Sequence, residues 1–287
     1  MKKLIIMACC QSEAERAVSY FTQAAYQVLP IYRESLVKEQ KLIISDKQVV
    51  YGQEDLLENT AGLVILEEDY MWPQPSWLPD EEQWPLWQSD MDNQLRNQRE
   101  GASFWFSLMD ILCANLPVAV NSREGREAAI FQPMALTLLK EQGFSLLPFL
   151  LTNHHKELRD FCSAHRGSVF SMSLADPLSA VEVSPDKLKA SLEAPSPYVY
   201  QLSDGPDVIH LHHCGKSVFG AADSGLEQQT LAMAEFLKLQ MGLWQFRKYK
   251  GQWALAAFSS LPRWAELGAA EVPAFFKALD DVIQGAL

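Results

Sequence analysis

The residues best equipped for chemistry lie in the stretch VIHLHHCGKSVFGA at 208–221, which holds three of the chain's six histidines and one of its five cysteines. Imidazole and thiolate are zinc ligands, and a protein zinc site draws on three or four of them. Side chains alternate between faces along a strand, so His210 and His212 share one face while His213 joins Leu211 on the other. A pair at i, i+2 needs further ligands from elsewhere, and His154, His155 and His165 lie on or beside a separate helical segment. Gly215-Lys216 has the composition of a hairpin tip, because glycine takes the positive φ that tight turns demand. The stretch reads as a β-hairpin with a partly polar face, and no metal is expected on it.

Other reactive groups are sparse. Cys9, Cys10, Cys113, Cys162 and Cys214 are odd in number and lack CxxC spacing, which points to unpaired thiols in a reducing, cytoplasmic setting. There is no GxGxxG, Walker loop, HExxH or GxSxG, so no motif supplies a nucleophile with its base.

The elements that must position these residues follow from apolar periodicity. KLIIMAC is a buried strand, QSEAERAVSYFTQAAYQV a helix, and YQVLPIY a second strand, an opening that predicts a parallel sheet covered by helices. KLIISD and QVVYG form a short hairpin, and AGLVILEE is another strand. FWFSLMDILCANL is an amphipathic helix and PVAVNS a strand. REGREAAIFQPMALTLLKEQG reads as one helix closed by Gly143. SLLPFLLTN is a strand whose Thr152-Asn153 caps the helix HKELRDFCSAH. RGSVFSMSL and PYVYQL are strands separated by a polar connector at 175–197. EQQTLAMAEFLKLQM is helical, QWALAAFSS a strand and VPAFFKALDDVIQGAL a closing helix.

Residues 71–100 break this pattern. MWPQPSWLPDEEQWPLW carries Trp72, Trp77, Trp84 and Trp87 among four prolines, a composition that excludes a regular helix or central strand. Two readings fit it: a loop whose tryptophans cover the sheet, or a surface that anchors a peptide or partner.

Composition narrows the class. The net charge of −12 argues against a nucleic acid partner, which needs a dense basic face. No apolar run reaches transmembrane length, so no membrane partner is expected. The start MKKLIIMACC lacks a signal-peptide cleavage site and reads as a first strand. A homo-oligomer is left open.

The order of elements after residue 115 resembles the ATP-grasp superfamily, and most of all its peptide-modifying branch, the ribosomal-protein glutamate ligases and the microviridin-type (graspetide) ligases. PVAVNSREGREAAIFQPMALTLLKEQGFSLLPFLLTN is similar to the family's strand ending in Val-Asn, its helix, and its Gly-(apolar)-Pro and Leu-(Ile/Val)-Thr-Asn segments. HKELRDFCSAHRGSVFSMSL resembles the helix and strand that follow, YVYQL the hinge strand, VIHLHHCGKSVFGA the Asp-(apolar)-Arg-Val hairpin, and QWALAAFSSLPRW the final strand that carries metal carboxylates. The resemblance implies an α/β (α+β) chain: a Rossmann-like pre-ATP-grasp domain over 1–120, a small central subdomain over 121–185 and a C-terminal subdomain over 186–287, the last two forming a cleft.

The residues that carry the family's chemistry differ. Gln132 stands near the lysine that reaches the nucleotide phosphates, Met172 at the lysine on the α-phosphate, and Gln201 at the acid on the ribose. His210 falls on the hairpin arginine, with its partner acid at Val208, or at Asp207 with a one-residue slip. Ala257 and Ser259 replace the Glu-x-Asn pair that binds magnesium, and Arg247 and Lys248 stand where an upstream acid is expected. Magnesium demands hard oxygen ligands, and triphosphate demands cations. The resemblance therefore implies a degenerate, non-catalytic member without a cofactor. It would bind a peptide or protein partner, such as an active ATP-grasp ligase, through the four tryptophans, His210, Arg247 and Lys248. The alternative is an active, divergent ligase using ATP and magnesium through Asp204, Asp207, Asp223 or Glu227 with Arg247 and Lys248 as relocated bases.

Overall fold

The computed structural model describes residues 1–33, 42–45, 48–66, 91–164, 168–172, 177–183, 198–221 and 223–285. The chain divides into two compact units: Met1–Val120 with the residues from Ile283 onward, and Asn121–Val282.

In the first unit β1 (Lys3–Ala8) is buried along its whole length, as a strand covered on both faces must be. Helix α1 (Gln11–Gln23) returns the chain to β2 (Gln27–Tyr32), and β6 (Thr60–Leu66) and β7 (Ala119–Val120) complete an all-parallel sheet in the order β2-β1-β6-β7. The expected hairpin is present as β3 (Leu42–Ile44) and β4 (Val49–Tyr51), extended by β5 (Glu54–Asp55) into a small antiparallel sheet. Helix α2 (Met91–Asn115) packs Trp105, Leu108, Met109 and Leu112 at helical spacing against Ile5, Met7, Leu63 and Ile65.

The second unit is built on two antiparallel sheets. One contains β10 (Val181–Glu182), β9 (Ser168–Met172), β11 (Tyr198–Ser203) and β8 (Phe149–Thr152), in that order. The other is ordered β13-β12-β14-β15, with β12 at Val208–Cys214, β13 at Ser217–Phe219, β14 at Met241–Tyr249 and β15 at Gln252–Ser259. Asn121 fastens the second sheet. Its amide donates to the Ser260 carbonyl at 2.8 Å and its Oδ1 accepts from the Gln240 and Met241 backbones at 2.8 and 2.9 Å.

Three expectations need correction. The helix expected over 123–143 is two: α3 (Arg123–Ile130) and α4 (Gln132–Glu141), broken at Phe131, whose φ of −90° and ψ of 51° leave the helical region. Pro133 explains the break, since it lacks an N–H and suits only the first turn of a new helix. Gly143 does follow α4 at φ +86°, the left-handed geometry of a helix end. Before α5 (His155–Ala164), Thr152 Oγ1 accepts from the His154 backbone at 3.0 Å, and the His154 imidazole pairs with Glu157 in the first turn; Asn153 takes no part in a described bond. The polar connector contains β10, which pairs with β9, and a buried residue, Leu178.

Candidate functional site

The hairpin reading of 208–221 holds. β12 and β13 pair from Cys214↔Ser217 outward, leaving Gly215-Lys216 as the two-residue tip with Gly215 at φ +56°. The expected alternation divides its histidines between two environments. His213 faces the helix-side core and is fully buried. Its Nδ1 accepts from Trp244 Nε1 at 2.8 Å and its Nε2 donates to the Leu239 carbonyl at 3.1 Å, which defines a neutral ring. Burial pushes its pKa down to about 4. Gly242 makes room for it, because a Cβ there would stand 2.5 Å from the Ser259 carbonyl and 3.2 Å from the His213 ring.

His210 and His212 lie on the opposite face. Register sets His210 across from Gln245, His212 across from Leu243 and Val208 across from Arg247, and β15 brings Ala257 beside Gln245 and Ser259 beside Leu243. Leu211, Trp244, Phe246, Leu255 and Phe258 form the other face, packed under α4 and α6 (Ser224–Phe236). The sequence-predicted positions on this sheet, except Lys248, thus share one surface.

Ala257, Ser259, Met172, Gln132 and Gln201 are each committed to the fold. Ala257 and Met172 are fully buried and meet in one apolar cluster with Leu178, Val199 and Leu243, against which Phe149 and Ala180 pack. This cluster joins β9 and β11 of one sheet to β14 and β15 of the other. Gln132, fully buried at the start of α4, gives its amide N–H to the Phe258 carbonyl and accepts from the Phe258 N–H at 3.4 Å, pairing with β15 as a neighbouring strand would. Gln201 donates to the Ala256 carbonyl at 2.5 Å on the same strand. Ser259 turns its hydroxyl onto the chain, donating to the Leu261 carbonyl at 3.0 Å and accepting from the Leu261 N–H at 2.9 Å.

Arg247 and Lys248 diverge. The Arg247 guanidinium is buried, stacked 4.2 Å above the Phe170 ring and donating to the Pro206 carbonyl at 3.2 Å. Desolvation lowers its pKa, and Glu182 opposes the shift. Lys248 is half-exposed, 5.1 Å from the Trp253 ring and 3.7 Å from Asp207. Two of the relocated carboxylates of the alternative reading, Asp204 and Asp223, serve a turn and a helix end. Asp204 accepts from the Lys250 and Gly251 backbones at 2.9 and 2.7 Å, and those bonds hold its carboxyl below the usual range. Asp223 caps α6 through the Leu226 N–H at 2.8 Å.

Two further residues reach this surface without a sequence signal. Glu266 Oε2 lies 2.7 Å from His210 Nδ1, and Gln245 Nε2 lies 2.9 Å from His210 Nε2. Only the cross-strand register and the turn after β15 bring them there. Burial lowers the pKa of both His210 and His212, although Glu266 favours each cation. Among the described residues no group of three His, Cys, Asp or Glu side chains is arranged to hold a metal ion. Trp72, Trp77, Trp84 and Trp87 lie outside the described residues.

Compared by sequence, the chain matches no protein-family model and no curated protein. Compared by structure, it is similar over its whole length to several ligases. The ATP-grasp ligase PsnB, complexed with minimal precursor, Mg and ADP, superposes with a TM-score of 0.78 at 12% identity, covering 98% of this chain and 97% of that one. The macrocyclase MdnC from Microcystis aeruginosa, bound with its precursor peptide MdnA, gives 0.75 at 12% identity over 99% and 100% of the two chains. A RimK domain protein ATP-grasp from Sphaerobacter thermophilus gives 0.65 at 12% identity over 99% and 100%.

Proposed function

We propose that this chain, which has the ATP-grasp fold from end to end, is a non-catalytic member of that fold that binds a peptide or a partner protein and acts beside an active peptide-modifying ligase. The observation that carries the reading is the apolar cluster of Met172, Leu178, Val199, Leu243 and Ala257. By the resemblance, Met172 and Ala257 stand where a phosphate-binding lysine and a magnesium carboxylate are expected. Both are fully buried against hydrocarbon.

The donor set does not fit ATP and magnesium. A methyl group ligates nothing, a thioether is a poor partner for either, and the Ser259 hydroxyl is engaged by Leu261. The amides of Gln132 and Gln201 are neutral and donate to the β15 backbone. Of the carboxylates that could compensate, Asp204 and Asp223 hold backbone N–H groups instead, and Asp207 faces Lys248 at 3.7 Å.

A peptide partner is the reading supported by the neighbours, since PsnB and MdnC are each seen with a precursor. No helix among the described residues is long and apolar enough to cross a membrane. Calorimetric titration with ATP and magnesium chloride tests the central claim. The expected result is no saturable binding up to millimolar nucleotide. Micromolar affinity, with ADP released when a peptide carboxylate is supplied, would overturn it.

A further inference from the structure

The face of the second sheet that carries Ala257 and Leu243 also carries one polar assembly that the packing role leaves unexplained. His210 is bonded at both ring nitrogens, by Glu266 at Nδ1 (2.7 Å) and by Gln245 at Nε2 (2.9 Å). An amide nitrogen only donates, so Nε2 is the bare acceptor and Nδ1 carries the proton toward Glu266. The same Gln245 nitrogen donates its other hydrogen to the Leu178 carbonyl at 3.1 Å. One NH2 group therefore ties an ionisable ring to the main chain of a residue whose side chain helps to close the space between the sheets. Gln245 Oε1 is buried without a hydrogen-bond partner among the described residues.

We propose that Gln245 is a latch, through which protonation of His210 releases the Leu178 carbonyl and loosens the packing between the two sheets. Once Nε2 carries a proton, it faces an NH2 group, and two donors oppose each other at hydrogen-bond distance. Turning the Gln245 amide over relieves this by presenting Oε1 to Nε2–H. The same turn sets Oε1 against the Leu178 carbonyl, acceptor to acceptor, and the carbonyl must leave. Gln245 cannot satisfy the imidazolium and Leu178 together, so the two states exclude one another.

The charges around His210 decide when it switches. Glu266, on the segment after β15, favours the cation. Arg263 on that segment and Arg247 on β14 oppose it, and His210 in turn disfavours the cation of His212, two residues along β12. Glu182, beside β9, acts on Arg247. Burial is the largest effect and keeps the ring neutral at neutral pH, so the latch is closed above the ordinary histidine value and opens as pH falls below it. The device is independent of whether the cleft takes a nucleotide.

Hydrogen exchange of the backbone amides at 177–183, corrected for the intrinsic pH dependence, reads the latch in the full chain. The expected result is about a tenfold loss of protection as pH falls through the His210 titration, the effect of one buried hydrogen bond. Its midpoint should coincide with the His210 ring titration followed by NMR. His210→Gln should abolish the pH dependence, and Gln245→Met should leave the segment poorly protected at every pH. Unchanged wild-type protection, or a midpoint away from that of His210, would overturn the latch, and neither measurement requires a variant to fold.

Discussion

Restoring the charge that the fold resemblance expects at position 172 should break this protein rather than revive it. Met172 is fully buried among Leu178, Val199, Leu243 and Ala257, so Met172→Lys puts an ammonium group against hydrocarbon, with no anion in that cluster among the described residues. The side chain then folds neutral. Holding a lysine of ordinary pKa ~10.4 neutral at pH 7 costs about 4–5 kcal/mol, at 1.36 kcal/mol per unit. That is a large share of the roughly 5–15 kcal/mol that stabilises a typical domain. Met172→Leu, which keeps volume and polarity, should cost less than about 1.5 kcal/mol. The lysine penalty has a signature. Because the unfolded chain binds the proton and the folded chain does not, stability recovers as pH rises, and at pH 9.5 the penalty falls to about 1 kcal/mol. Urea unfolding of wild type and both variants, followed by tryptophan fluorescence to which buried Trp244 contributes, measures this at the two pH values. A lysine variant within about 1 kcal/mol of wild type at pH 7, or one that gains affinity for ATP and magnesium, would mean that position 172 faces open solvent and that the closed-cleft reasoning is wrong.

Two further outcomes concern the same unit. Gln132→Ala strips both partners from the buried Phe258 backbone and should lower unfolding stability by about 2–4 kcal/mol, while an effect below about 0.5 kcal/mol in urea would show that the amide pairing contributes little. His213 should lend the second unit acid sensitivity: its pKa falls from 6.5 to about 4 through burial, so its contribution is complete above pH 6.5 and lost toward pH 4, about 3 kcal/mol in all. Urea midpoints across that range report the loss, and an NMR titration of the His213 ring centred near 6.5 would contradict it.

Much of this architecture is written in local pattern. The buried runs KLIIMA and TAGLVIL are the parallel strands, and the alternation in VIHLHHC assigns His210 and His212 to one face and His213 to the other. Gly215 marks the hairpin tip and Gly143 the end of α4, because both positions need a positive φ that other residues rarely take. Such features depend on neighbours a few residues apart, which is why they can be read from the chain. Even the lack of charge at Met172 and Ala257 is a matter of residue type. What fills the resulting space is not. Gln132 pairs with Phe258 across 126 residues and Gln201 with Ala256 across 55. Leu178 enters the core from a segment whose composition reads as an exposed linker, and the acid beside His210 is Glu266, in a turn with no motif of its own. These partnerships depend on strand register and on how the two sheets meet, and only the folded chain sets either. Sequence determined the residue types at these positions, whereas tertiary structure decided that hydrocarbon and backbone-bound amides meet there.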